Sequence, residues 1–126
     1  MTQMEDWITK YGGDGFDAIF SENDAMALGA IEAMNAAGID AKAKVICGVD
    51  ALYEGCMAIK EGYIDASCAQ SSDDYANALI DRIEKLQSGA VDSHCVDDQI
   101  FNALLVTQDN VDEMLARYAE LGYDGK

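Results

Sequence analysis

The sequence predicts an α/β fold in three layers, a mostly parallel sheet covered by helices on both faces. Two observations carry that expectation. Segments with apolar residues at three- and four-residue spacing alternate with short apolar runs, in the order α-β-α-β-α-β-α-β-α. The clearest run, VICGV at 45–49, has no polar side chain on either alternating face, as expected of a parallel strand buried between two layers. The 126 residues, 50% hydrophobic and 25% charged, suffice for one domain or a large piece of a bigger one, with a core and without disorder.

Residues 2–11 carry Met4, Trp7, Ile8 and Tyr11 at i, i+3, i+4 and i+7, an amphipathic helix with Trp7 among its core-facing residues; Gly12, Gly13 and Gly15 end it. FDAIFSE, 16–22, has the short apolar centre of a strand. Asp24, or Asn23 with it, caps the next helix, whose inner stripe is Ala27, Ile31 and Met34, with Gly38 as its stop. After VICGV comes a helix over 52–61 closing at Gly62, then a strand over 64–70, IDASCAQ. Ser71 and Asp74 are spaced as a capping box for a helix over 74–88 with the stripe Tyr75, Leu79, Ile83 and Leu86. A polar stretch, 90–98, separates that helix from a strand over 100–106, IFNALLV. Thr107 with Asp109 opens the last helix, whose inner face is Val111, Met114, Leu115 and Tyr118.

Composition excludes several classes of function. Asp and Glu outnumber Lys and Arg 24 to 8, a formal charge of −16. Such a surface repels the phosphate backbone of nucleic acids and an anionic membrane face alike. No apolar run approaches the ~20 residues that span a bilayer, and no basic-then-apolar leader opens the chain as given. The cysteines, at 47, 56, 68 and 95, form no C-x-x-C pair, so zinc and redox signatures are missing; Cys47 and Cys68 read as small hydrophobes in strands. His94 and Cys95 are adjacent in the polar stretch, but two ligands do not complete a metal shell. With one histidine and no nucleophile elbow, phosphate loop or dinucleotide motif, the chain reads as a non-enzyme without cofactor or metal.

Three strands in succession end on a polar side chain: Asn23 after AIFSE, Asp50 after VICGV and Gln70 after DASCA. Ligands of open parallel sheets bind outside the carboxyl edge, so these residues are candidates for one crevice. A carboxylate accepts hydroxyl hydrogens and an amide both accepts and donates, which suits a polyol. The competing reading is local: Asn23 and Asp50 are equally placed to cap the helices that follow them.

FDAIFSENDAMALGAIEAMNAAGI, VICGVDAL, AIKEGYIDASCAQ and the closing LLVTQDNVDEM, in that order, resemble the C-terminal lobe of periplasmic sugar-binding proteins of the ribose and glucose/galactose type, over about residues 2–121. The resemblance implies a flavodoxin-like, periplasmic-binding-protein-like lobe serving the solute-binding component of an ABC sugar transporter, outside the cytoplasm, with a membrane permease as partner. It implies that Asn23, Asp50 and Gln70 hydrogen-bond a monosaccharide. It implies also that the first lobe, which supplies half of the contacts, is missing, as is the early part of the second. Segment 71–103 then belongs to the other lobe, and its exposed apolar residues favour a homodimer that swaps it across the polar stretch 90–98. Two other readings compete. The ligand-sensing core of lactose-repressor-type regulators shares this lobe, but it brings prolines, of which there are none here, and a basic DNA-binding head. A flavodoxin-like signalling domain needs a lysine at a late strand end, which is also absent.

Overall fold

The computed structural model describes residues 1–92, 94 and 100–123. Along the chain run α1 (Thr2–Tyr11), β1 (Ala18–Phe20), α2 (Asp24–Ala36), β2 (Val45–Val49), α3 (Tyr53–Glu61), β3 (Ala66–Ala69), α4 (Ser72–Gln87), β4 (Leu104–Thr107) and α5 (Val111–Glu120). The alternation expected from the sequence is present throughout. Contacts divide the chain into one unit of Met1–Ala69 with Leu105–Lys126 and a second of Gln70–Leu104.

The sheet of the first unit has the order β1-β2-β3-β4. Strand β2 pairs in parallel with β1, Ile46 opposite Ile19, and in parallel with β3, Gly48 opposite Ser67. The first three predicted strands are thus adjacent and share a carboxyl edge. Ile46 on β2 and Val106 on β4 are fully buried with Met34 of α2, Ile59 of α3 and Ile64, and α5 adds Val111. Each fully buried aliphatic side chain is worth roughly 1.5–3 kcal/mol, so this cluster holds the unit together. Helices α1 and α2 pack together, as do α2 and α3, and α3 and α5. On the alternate face of the sheet Phe20, Val45 and Leu105 are exposed.

Two expectations shift. In α1 only Met4 is buried; Trp7 is 47% exposed, because the apolar stripe is wider than the part of the helix that packs against α2. Strand β4 starts at Leu104 instead of Ile100, and Ile100 is 93% exposed, since an apolar run forms a strand only where a neighbouring strand takes its backbone bonds. In the second unit, Ser71 caps α4 through the Asp74 amide, 3.2 Å, and Tyr75 meets Phe101 edge-on. No residue of α4 is buried, and Leu79, Ile80 and Ile83 are all exposed. Cys95 and most of the predicted hinge 90–98 lie outside the described residues.

Candidate functional site

Asn23 ends the turn after β1 and is the N-cap of α2: its Oδ1 accepts from the Met26 amide at 2.9 Å. The cap engages the oxygen, and the amide nitrogen is the end that donates. The capping expected of Asp24 falls to Asn23 alone. Asp24, one residue on, turns inward and is wholly buried.

Asp50 follows β2 directly, and its amide donates to the Cys68 carbonyl at 2.9 Å. It does not cap α3, whose N-cap is Leu52 with no side-chain bond. Its side chain is instead on the surface, beyond the carboxyl end of a central strand. The backbone here is unusual: Asp50 has φ 95° and Ala51 φ 48°, the two non-glycine residues with positive φ among the described residues. Such residues cost on the order of 1–3 kcal/mol each and persist only where their surroundings over-determine them.

The surroundings do so here. The Ala51 amide donates to Ser67 Oγ at 3.0 Å, and the Leu52 amide to Asp24 Oδ2 at 2.7 Å. Ser67 Oγ in turn donates to Asp24 Oδ1 at 2.6 Å. From the other side the Ala51 carbonyl accepts from the Tyr118 hydroxyl at 2.9 Å and from the Cys56 thiol at 3.3 Å. Tyr118 sits edge-on to Tyr53, 5.7 Å between centroids, within a cluster completed by Tyr123.

Two glycines make room for the buried carboxylate. A Cβ on Gly48 would overlap Asp24 Oδ1, and one on Gly55 would overlap Oδ2. Burial raises the Asp24 carboxyl above the usual range, against the lowering pull of the Ser67 hydroxyl and the Leu52 amide, and the charge of Asp50 raises it further. Burial, with Asp24 nearby, pushes the Cys56 thiol up to about 11. Burial likewise raises the Tyr118 hydroxyl.

Gln70 comes directly after β3 and opens the second unit; its Oε1 accepts from the Tyr75 hydroxyl at 3.3 Å. Asn23 and Asp50 therefore follow the carboxyl ends of adjacent strands, as the sequence predicts, and Gln70 follows the third. Spacing alone did not reveal Asp24. Its only signal was an acidic residue beside two separate glycines, legible once Gly48 and Gly55 meet in space. Among the described residues no three His, Cys, Asp or Glu side chains gather as metal ligands, and no helix is long and apolar enough to cross a membrane.

The profile of the periplasmic binding protein domain matches residues 1–90. The chain belongs to this family. Its members are receptors that bind solutes, not enzymes. A D-galactose/methyl-galactoside binding periplasmic protein of Haemophilus influenzae is 32% identical over 87 residues, 69% of this chain and 25% of that protein. A ribose import binding protein of Salmonella typhimurium is 37% identical over 73 residues, 57% of this chain and 24% of that one. The crystal structure of an ABC transporter solute-binding protein from Bacillus halodurans with bound myo-inositol superposes with a TM-score of 0.74 at 31% identity, covering 93% of this chain and 38% of that one. The chain thus spans about a quarter of the length of these curated relatives.

Proposed function

We propose that this chain is the C-terminal lobe of the solute-binding component of an ABC sugar transporter, and that Asn23, Asp50 and Gln70 hydrogen-bond the hydroxyls of a monosaccharide or cyclic polyol. The observation that carries the reading is Asp50. Its side chain is exposed beyond a central parallel strand, on a strained turn held by five hydrogen bonds from Asp50 to Leu52. A carboxylate held there accepts two hydroxyl hydrogens, while the Asn23 amide nitrogen supplies a donor from the adjacent strand. Relatives named for galactose, ribose and myo-inositol fit that chemistry.

In the whole protein the first lobe closes on the sugar from the other side, and segment 71–103 belongs to that lobe. The protein works outside the cytoplasm and delivers its ligand to a membrane permease. By itself the chain hides the apolar stripe of α4 by pairing with a second copy, exchanging the second unit.

Without the closing lobe most of the ligand stays in water, so affinity is low, a Kd on the order of millimolar or weaker. Nuclear magnetic resonance titration of the chain with myo-inositol, D-ribose and D-galactose tests the site. At least one of them should shift the signals of Asn23, Asp50 and Gln70 selectively, and Asp50→Asn should abolish the shift. No response from these three residues to any of the sugars refutes the reading. Micromolar affinity of the chain alone refutes the two-lobe account of it.

A further inference from the structure

We propose that Asp24 is the positioning residue of the ligand turn, fixing the direction of the Asp50 carboxylate from inside the core without touching ligand. The proposal rests on the reading of Asp50 as a ligand group.

Three features converge on Asp24. Its carboxylate is wholly buried, and both oxygens are spent on the turn and its support. Oδ2 takes the Leu52 amide directly. Oδ1 takes the Ser67 hydroxyl proton, which leaves the Ser67 oxygen lone pairs facing the Ala51 amide. One buried acid therefore fixes the amides of both residues after Asp50, one directly and one through a serine with a defined donor direction. Those are the amides that hold two consecutive positive φ values in place. The glycines at 48 and 55 are what admits a carboxylate at this spot. A residue needed only to start α2 would gain nothing from such a site, because Asn23 already caps that helix.

Asp24→Asn keeps one acceptor oxygen and replaces the other with a donor. That oxygen can accept from the Ser67 hydroxyl or from the Leu52 amide but not from both, so one anchor of the turn meets a donor instead of an acceptor. Ser67→Ala removes the serine link from the other side. Amide hydrogen exchange measures the effect residue by residue. The sheet reporters are Ser21, which donates to the Cys47 carbonyl, and Asp65, which donates to the Ile46 carbonyl. Ile64→Val, a core change away from the turn, serves as the control for general loss of stability.

Both turn variants should lose protection at Ala51 and Leu52 by at least about tenfold more than at Ser21 and Asp65. Ile64→Val should show no such selectivity. In the sugar titration, Asp24→Asn should weaken binding by at least about tenfold relative to Ile64→Val. The proposal is overturned if Ala51 and Leu52 exchange no faster, relative to the sheet, in Asp24→Asn and Ser67→Ala than in Ile64→Val. It is overturned too if the anchor weakens while sugar affinity stays unchanged. Should Asp24→Asn not fold, Ser67→Ala decides. If wild-type signals ignore every sugar, the ligand reading of Asp50 has failed, and exchange still settles whether Asp24 holds the turn.

Discussion

Replacing Gly55 with alanine sets two effects of opposite sign against each other. Gly55 lies in the first turn of α3, where alanine gains at most about 1 kcal/mol of helix propensity. The new Cβ, however, would stand 2.6 Å from Asp24 Cγ and 2.9 Å from its Cβ, and would overlap Oδ2. The carboxylate lies between α2, β2 and α3 and must shift away from the Leu52 amide. Overpacking of this kind costs about 1–3 kcal/mol, and a weakened hydrogen bond to a charged group about 1.5–3 more. The net expectation is a loss of about 2–4 kcal/mol. At roughly 3–6 °C per kcal/mol for a chain of this length, calorimetry should record a melting point lower by roughly 10 °C. In an Asp24→Ala background the Oδ2 and Cγ overlaps are gone and only the Cβ contact at 2.9 Å remains, so the same Gly55→Ala change should lower the melting point by clearly less than it does in the wild-type chain. A wild-type chain made more stable by Gly55→Ala would refute the reasoning, because it would mean the buried carboxylate is not where the glycines leave room for it.

Acidity offers a second handle on the same group. Asp24 ionises at higher pH folded than unfolded, where a carboxyl titrates near 4, so the stability it contributes is full below about pH 4 and is lost as pH rises through its raised folded value. The difference in urea midpoint between the wild-type and Asp24→Asn chains should therefore shrink with rising pH; a widening gap contradicts the assignment. Cys56, buried and with its thiol pushed up to about 11, should react with iodoacetamide far more slowly than Cys47 or Cys68, as peptide mapping after timed quenching will show. Light scattering over a range of concentrations should give a mass above 13.6 kDa, and Leu79→Glu with Ile83→Glu should bring it down to that value. A constant 13.6 kDa for the unaltered chain excludes the exchanged dimer.

The fold was legible because its strands are short apolar runs between helices with clean stripes, and such patterns survive without tertiary information. Asn23 and Asp50 were legible as residues following parallel strands. Their separate fates were not: Asn23 is the N-cap of α2, whereas the N-cap of α3 is Leu52 and not Asp50, and both stand before a helix in the sequence. Asp24 was hidden for a related reason. An acid at a helix start usually faces water, and only the meeting of Gly48 and Gly55, 24 and 31 positions away, shows that it faces inward. Trp7 was misread because periodicity identifies a stripe and not how much of it another element covers. The start of β4 was misplaced because hydrophobicity continues past the point where backbone pairing stops.

The bond from Tyr118 to the Ala51 carbonyl spans 67 positions. Strands β1 to β3 and the helices between them contain all their mutual bonds within the first 69 residues, whereas the turn that carries Asp50 waits for a hydroxyl from the final helix. During synthesis the three strands β1 to β3 are therefore paired while the turn still lacks one of its clasps. A nascent chain that has not yet released α5 from the ribosome would present Asp50 on a looser loop, and contacts across so long a loop close late. The finished geometry of this edge is in that sense a report that the chain has been made through α5.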